Sequence, residues 1–181
     1  STLLFGKINF FVTFINKFFE LLRTTNRLIG IAASYLLIAM VLVTFFIVLL
    51  RYGFSLGWIW LQESVTWMHA AVFLLVAPYA FSQDAHVRVD VFYRQWSQKT
   101  KNKVNLVGSL LCLCPIALFL IMGSLDYVSA SWETKETSKD AGGLIYPFIP
   151  LLKSFIPVTG FLLFFEGLVS AKDSWDKINN D

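Results

Sequence analysis

Long runs without a charged side chain set the strongest limit on how this sequence can fold. Residues 28–50 and 104–125 contain no Asp, Glu, Lys or Arg, and residues 64–83 form a third such run. A helix needs about 20 mostly apolar residues to cross roughly 30 Å of hydrocarbon. Backbone amides find no water in lipid, so runs of this length must be helical. The sequence therefore predicts an all-α integral membrane protein.

Four segments are predicted to cross the membrane within a single membrane domain, residues 1–181. They are approximately residues 28–50, 60–82, 104–125 and 148–170. Lys and Arg are concentrated before the first span and in the connection between the second and third, and they are sparse in the first and third connections. Because cytoplasmic loops carry the excess of Lys and Arg, both termini and the second connection are predicted to be cytoplasmic.

The fourth span departs from the uncharged pattern. Lys153 and Glu166 lie inside it, and Pro150 and Pro157 interrupt it. Proline in a membrane helix is typical of a kink, and charged side chains near the ends of a span extend toward the polar boundary. The segment is therefore predicted to be a kinked fourth helix with Lys153 and Glu166 reaching outward. A re-entrant hairpin is the alternative.

The segment before the first span, residues 1–23, is apolar but carries a polar stripe. Asn9, Asn16, Lys17 and Glu20 fall on roughly one side of a helix, with phenylalanines elsewhere. This pattern predicts an amphipathic helix lying in the cytoplasmic interface. Such a helix serves either as a brace for a partner subunit or as a simple membrane anchor.

Residues with catalytic or ligand-binding chemistry are few and poorly placed. Cys112 and Cys114 are two residues apart, which puts them on largely opposite faces of a helix and favours a packing role. His69 and His86 would lie about 25 Å apart along a helix, too far to bind one haem iron. No phosphate loop, nucleophile elbow or zinc-ligand spacing occurs. We therefore expect no enzyme, no metal or cofactor in this chain, and no nucleic-acid partner.

Polar residues border the second span at both ends. Arg51 and Glu63 should lie at similar depth, where they are able to form a pair that ties the first helical hairpin together. Three i,i+4 pairs would form beyond residue 82 if the helix continues there. They are Asp84–Arg88, His86–Asp90 and Asp90–Arg94. The alternative is that these polar residues simply anchor the ends of the helices.

The residues that border the second span resemble those of a known transporter family. The order of Arg51-Tyr52-Gly53-Phe54, Trp60, Gln62-Glu63 and His86-Val87-Arg88-Val89-Asp90 resembles the small, DctQ-like membrane subunit of tripartite ATP-independent periplasmic (TRAP) transporters. Gly142-Gly143 and the aromatic-proline stretch after it are similar to longer members. Gln62 departs from the pattern, since many relatives carry a second acidic residue at that position.

The resemblance implies an accessory subunit of the bacterial inner membrane. Its partners would be a large multispan permease subunit that carries sodium and an organic acid by an elevator motion, a periplasmic substrate-binding protein, and membrane lipids. The small subunit would scaffold the large one, with no substrate-binding residue of its own. Six residues are expected to position helices or contact other subunits: Arg51, Trp60, Glu63, His86, Arg88 and Asp90.

Two further points are left open by the sequence. The third connection, residues 126–147, is long and acidic, and it is predicted either to contact the binding protein or to be a solvated loop. The alternative function is a structural membrane-anchor subunit of an electron-transfer complex, which shares the accessory character but predicts copurifying redox cofactors.

Overall fold

The chain is helical through nearly all of the part that the structure describes, residues 2–83 and 96–180, with side chains described for 17–83 and 96–179. This computed structural model contains α1 (Thr2–Phe54), α2 (Ile59–Ser82), α3 (Gln98–Gly108), a π-helical segment (Ser109–Leu113), α4 (Cys114–Glu133) and α5 (Phe148–Asn180). The π-helical segment joins α3 to α4 without a break, so the three form one rod. No strand occurs within the described ranges, and the predicted all-α class is confirmed.

Four rods are long and apolar enough to cross a membrane. They cover Lys17–Phe54, Ile59–Ser82, Gln98–Glu133 and Phe148–Asn179. Each contains, or nearly coincides with, one of the predicted spans, so the four-span prediction is confirmed.

The first rod is a single helix of 53 residues. At 1.5 Å per residue it is about 80 Å long, well over twice the thickness of the hydrocarbon core. No break in α1 separates residues 2–23 from the first span. The position of that segment in the membrane interface stays a prediction, since the helix alone does not define where the membrane lies.

The fourth rod is one continuous helix, despite its two prolines. Pro150 is the third residue of α5, where a backbone N–H has no partner within the helix, so proline costs little there. Pro157 lies inside α5, and the helix continues through it to Asn180. The alternative of a re-entrant hairpin is therefore wrong.

The rods pack so that α2 and α5 lie at the centre. α1 packs along α2, α4 packs along α5, and α2 contacts α5 directly. α4 continues to Glu133, so the third connection covers residues 134–147 and not the predicted 126–147. Connections 55–58 and 134–147 meet at one end of the bundle, which we call the loop end. Arg23 of α1 and Asp173 of α5 meet at the other, which we call the termini end.

Small residues allow the closest helix contacts. A Cβ atom on Gly160 of α5 would lie 2.7 Å from Ile121 Cγ1 and 3.0 Å from the Ala117 carbonyl oxygen of α4. A Cβ atom on Gly30 of α1 would likewise overlap the side chain of Tyr79 on α2. Lipid provides no hydrophobic drive for helix association, so such close approach supplies the packing energy.

The π-helical segment has a local cause in Pro115. Proline has no N–H to donate to the carbonyl four residues earlier, and its ring crowds that carbonyl, so the helix widens just before it. Cys112 lies within the π-helical segment and Cys114 directly follows it, and both are free: Cys112 is exposed, whereas Cys114 is buried. A Cβ atom on Gly167 would lie 2.9 Å from the Cys114 sulfur, which agrees with a packing role for this cysteine.

Candidate functional site

The structure places three of the six predicted site residues at the loop end. Arg51 lies three residues before the end of α1, and Trp60 and Glu63 lie in the first turns of α2. The other three, His86, Arg88 and Asp90, fall outside the described residues, as do the three i,i+4 pairs. The loop end is therefore the part of the candidate site that can be analysed.

Both carboxylate oxygens of Glu63 bind the third connection. The Ser138 hydroxyl donates a hydrogen bond to Glu63 Oε1, and the Leu144 amide donates to Glu63 Oε2 at 2.6 Å. Hydrogen bonds to an ionised acceptor are roughly twice as strong as those between neutral groups. We call this set of contacts the Glu63 clamp, and it fastens residues 138–144 to α2.

Backbone contacts complete the Glu63 clamp. The Trp60 amide donates to the Gly142 carbonyl oxygen at 3.0 Å. This bond satisfies one of the free N–H groups at the start of α2, where the Trp58 side chain supplies no cap. Gly142 has a φ of 80°, a conformation that favours glycine.

Gly143 lies so close to the clamp that no side chain fits. A Cβ atom there would lie 2.6 Å from Glu63 Oε2 and 2.6 Å from Ser138 Cβ. The Gly142-Gly143 pair is therefore required by geometry: the first glycine makes the turn and the second lets the backbone reach the carboxylate.

The suggested pair between Arg51 and Glu63 is not formed. The Glu63 oxygens accept from Ser138 and Leu144, and none of the ion pairs among described residues joins Arg51 to Glu63. Arg51 is exposed and lines a small cavity of about 450 Å³ with Ser55 and Gln62. Its guanidinium group is thus directed to the surface of the loop end.

A second carboxylate fastens the same connection to α4 and α5. Lys153 Nζ of α5 lies 2.5 Å from Glu136 Oε2, and the Ser131 hydroxyl donates to that oxygen at 2.6 Å. The hydrogen bond from Lys153, followed by that from Ser131, holds the pKa of Glu136 below its usual value. We call these contacts the Glu136 clamp. Lys153 does not simply extend outward, as the sequence predicted, but is 14% exposed in an ion pair.

Aromatic side chains support the Glu136 clamp and its surroundings. Lys153 Nζ lies 3.8 Å from the centroid of the Tyr127 ring, a cation–π contact. Trp132 Nε1 donates to the Ser154 hydroxyl at 2.9 Å, which joins α4 to α5. The Trp132 ring in turn packs edge-on against Tyr146, with centroids 6.0 Å apart. The connection is thus fastened along its whole length.

An apolar groove lies beside the Glu63 clamp. It has a volume of about 820 Å³ and is bounded by α1, α2 and residues 142–148. Trp67 forms part of its wall and donates from Nε1 to the Phe148 carbonyl oxygen at 2.7 Å, which ties α2 to the start of α5. Its lining offers apolar packing surface rather than polar groups for a charged substrate.

The termini end contains a separate polar contact between α1 and α5. Asn26 Nδ2 donates to Glu166 Oε2 at 2.9 Å, and Arg23 Nη2 lies 2.6 Å from Asp173 Oδ2. Glu166 is only 6% exposed. The prediction that it reaches outward to the membrane boundary is therefore wrong, because the carboxyl group points into the bundle.

The described residues offer little for catalysis or metal binding. No group of three or more His, Cys, Asp or Glu side chains is placed to hold a metal ion in the ranges searched. His69 is exposed on α2, away from both clamps. The polar contacts at the loop end link one helix to another, so their chemical effect is to fix the positions of helices and of the third connection.

Sequence reasoning missed the residues that complete the clamps. Ser138 and Glu136 were assigned no role beyond the third connection, and Gly143 was noted only as part of the family resemblance. One signal was present: Lys153 is a charge within an apolar span, and such a charge needs an acidic partner. Glu63 and the four acidic residues between 126 and 140 are predicted to lie on the same side of the membrane as Lys153, which would have narrowed its possible partners to five.

Comparison with known proteins identifies one family. A family model for "Tripartite ATP-independent periplasmic transporters, DctQ component" matches residues 40–177, well over half of the chain. A search of the curated proteins found no match. The matched range includes all of α2, both clamps and most of α5.

Proposed function

Since the chain belongs to the DctQ component family of tripartite ATP-independent periplasmic transporters, we propose that it scaffolds a large elevator-type permease subunit. The transporter would take up an organic acid, coupled to sodium, after delivery by a periplasmic binding protein. The alternative of an electron-transfer anchor gains no support from this family. The chain would work in the bacterial inner membrane, with the termini end in the cytoplasm and the loop end outside.

The scaffold proposal rests on one observation: the charged groups of the two loop-end clamps are bonded within this chain. Glu63 bonds Ser138 and Leu144, and Lys153 bonds Glu136, so each charged group in these clamps is used to hold helices and a connection together. A transport site needs polar groups left available to a substrate or ion in the membrane. A rigid bundle suits a fixed scaffold against which another domain moves.

Copurification tests the scaffold role. The full chain, tagged at one terminus, would be coexpressed with the large permease subunit of the same transporter and purified in mild detergent. We expect the two subunits to elute together in a fixed ratio without visible redox absorbance. Elution of this chain alone, or together with a haem or iron–sulfur protein, would support an electron-transfer anchor instead.

A second proposal is that the third connection contacts the binding protein. The clamps hold this connection in one shape, and Lys135, Thr137, Lys139 and Asp140 are exposed on it. A preformed surface binds with less loss of conformational entropy than a flexible loop. The loop end is also the side that the charge distribution predicts to be outside.

Charge reversal tests the second proposal without disturbing the clamps. Lys135→Glu together with Lys139→Glu should weaken binding of the binding protein to the assembled complex, most strongly at low salt, because exposed charges act at long range. The matched control is Lys99→Glu with Lys103→Glu, two exposed lysines of α3 at the opposite end. Equal binding by both double variants would remove the connection from the docking surface.

A further inference from the structure

A buried amide and a buried carboxyl group meet between α1 and α5. Asn26 is 3% exposed and Glu166 is 6% exposed. Asn26 Nδ2 donates to Glu166 Oε2 at 2.9 Å, and both residues belong to segments that are apolar enough to cross a membrane. This contact is therefore a buried link between two helices, beside a cavity of about 390 Å³ that Glu166 also lines.

One atom of this contact has no hydrogen-bond partner. Asn26 Oδ1 is buried, and no donor is placed to reach it. Burial of an acceptor without a donor is costly, because the acceptor gives up its hydrogen bonds to water and gains none. An ionised Glu166 cannot supply the donor, since a carboxylate only accepts hydrogen bonds, but a protonated carboxyl group has one O–H to donate.

None of the ion pairs among the described residues includes Glu166, although the cations Arg23 and Lys177 line the same cavity. Arg23 of α1 is bonded to Asp173 of α5 at 2.6 Å, so these two charges compensate each other. Lys177 of α5 lines the same cavity of about 390 Å³ but is exposed and forms no described ion pair with Glu166. The cavity-lining residues at the end of α2, directly after it and on α3 are uncharged: Phe81, Ser82, Gln83 and Asn105.

We propose that Glu166 is a proton-binding site inside the bundle. The carboxyl group keeps its proton, its O–H donates to Asn26 Oδ1, and its Oε2 accepts from Asn26 Nδ2. The acid and the amide then form a pair with two hydrogen bonds that joins α1 to α5. This arrangement satisfies the unpaired amide oxygen and leaves no charge on the buried Glu166 side chain.

Infrared spectroscopy of the full chain in lipid nanodiscs at neutral pH tests the proposal. A protonated carboxyl group has a carbonyl stretch that lies apart from the bands of carboxylates and of the backbone. We expect Glu166→Gln to lose such a band that is present in the unmodified chain. Glu133→Gln is the matched control, since Glu133 is exposed at the end of α4, and it should leave the band unchanged.

A second variant tests the pairing itself. Asn26→Leu removes the donor to Oε2, so the band should remain and move to higher frequency. Glutamine has the shape of the neutral acid and can also donate to Asn26 Oδ1, so Glu166→Gln should fold and elute like the unmodified chain. The proposal is overturned if Glu166→Gln removes no carboxylic-acid band, or if Asn26→Leu leaves its frequency unchanged.

Discussion

The Leu144 amide lies 2.6 Å from Glu63 Oε2, although the two residues are 81 positions apart in the chain. With the Ser138 hydroxyl on the other oxygen, this bond fixes the third connection against the first turns of α2. Glu63 is thus the residue of α2 that holds the third connection in place at the loop end. A polar connection that the sequence presents as flexible is held as a structured surface.

Removal of the Glu63 carboxylate should loosen this connection. Glu63→Ala leaves the Leu144 amide and the Ser138 hydroxyl without their acceptor, and we expect a loss of about 1–3 kcal/mol in the free energy of unfolding. Glu63→Gln, which keeps one carbonyl oxygen, should lose less. Thermal unfolding of the purified chain in detergent measures both.

Glu133→Ala serves as the control for this experiment, because Glu133 is exposed and takes no part in either clamp. Hydrogen exchange of the Leu144 amide gives an independent readout. If this amide exchanges as slowly in Glu63→Ala as in the unmodified chain, Glu63 does not hold the connection.

Gly143 should tolerate no side chain. In Gly143→Val the new Cβ atom would overlap Glu63 Oε2 and Ser138, so the Glu63 clamp must open. We expect a destabilisation of about 1–3 kcal/mol by thermal unfolding, as is typical of overpacking. Gly57→Val is the matched control, since a Cβ atom at Gly57 meets nothing within 4 Å. Equal melting temperatures for the two variants would contradict the described geometry.

The Glu136 clamp should weaken in acid. The hydrogen bonds from Lys153 and Ser131 hold the pKa of Glu136 below its unfolded value of about 4.3. The stabilising contribution is therefore complete above that value and is lost as the pH falls through the lower, folded-state pKa. The difference in melting temperature between the unmodified chain and Glu136→Gln should be constant near neutral pH and should shrink below about pH 4.3. A difference that instead grows in acid would contradict the ion pair.

Close packing of α4 on α5 should depend on Gly160. Gly160→Val places a Cβ atom 3.0 Å from the Ala117 carbonyl oxygen, so α4 must move away and lose contacts along its length. We expect a loss of about 1–3 kcal/mol in unfolding free energy. Gly123→Val on α4 is the control, because its nearest neighbour would be Phe119 at 4.0 Å. A similar loss for both variants would indicate an effect of valine on helix propensity alone.

The number and type of the membrane helices could be predicted from the sequence, because they depend on local properties. Residues 28–50 and 104–125 lack any charge, and that alone requires helical spans. The family resemblance also rested on short local motifs, such as Trp60 followed by Gln62-Glu63, and the match to the DctQ component confirms it.

The partners of the charged residues could not be predicted in the same way. Arg51 and Glu63 are close in sequence and were expected at similar depth, so a pair between them was the natural expectation. Glu63 instead bonds Ser138 and Leu144. These residues come near it only because the third connection folds back against α2. Glu166 was expected to reach outward, but Asn26 of α1 offers it a buried partner. Such contacts depend on which helices pack against each other. The pattern of residues along a single helix does not predict that packing.

Uptake in proteoliposomes tests the central claim that this chain positions its partner and has no transport site. The assay would compare large-subunit complexes containing the unmodified chain with complexes containing Glu63→Ala, with the binding protein and a sodium gradient supplied. Total uptake should fall only in proportion to lost assembly or lost docking of the binding protein, and uptake per assembled and docked complex should stay unchanged. If Glu63→Ala abolished uptake while assembly and docking stayed normal, the chain would take part directly in transport and the scaffold account would be wrong.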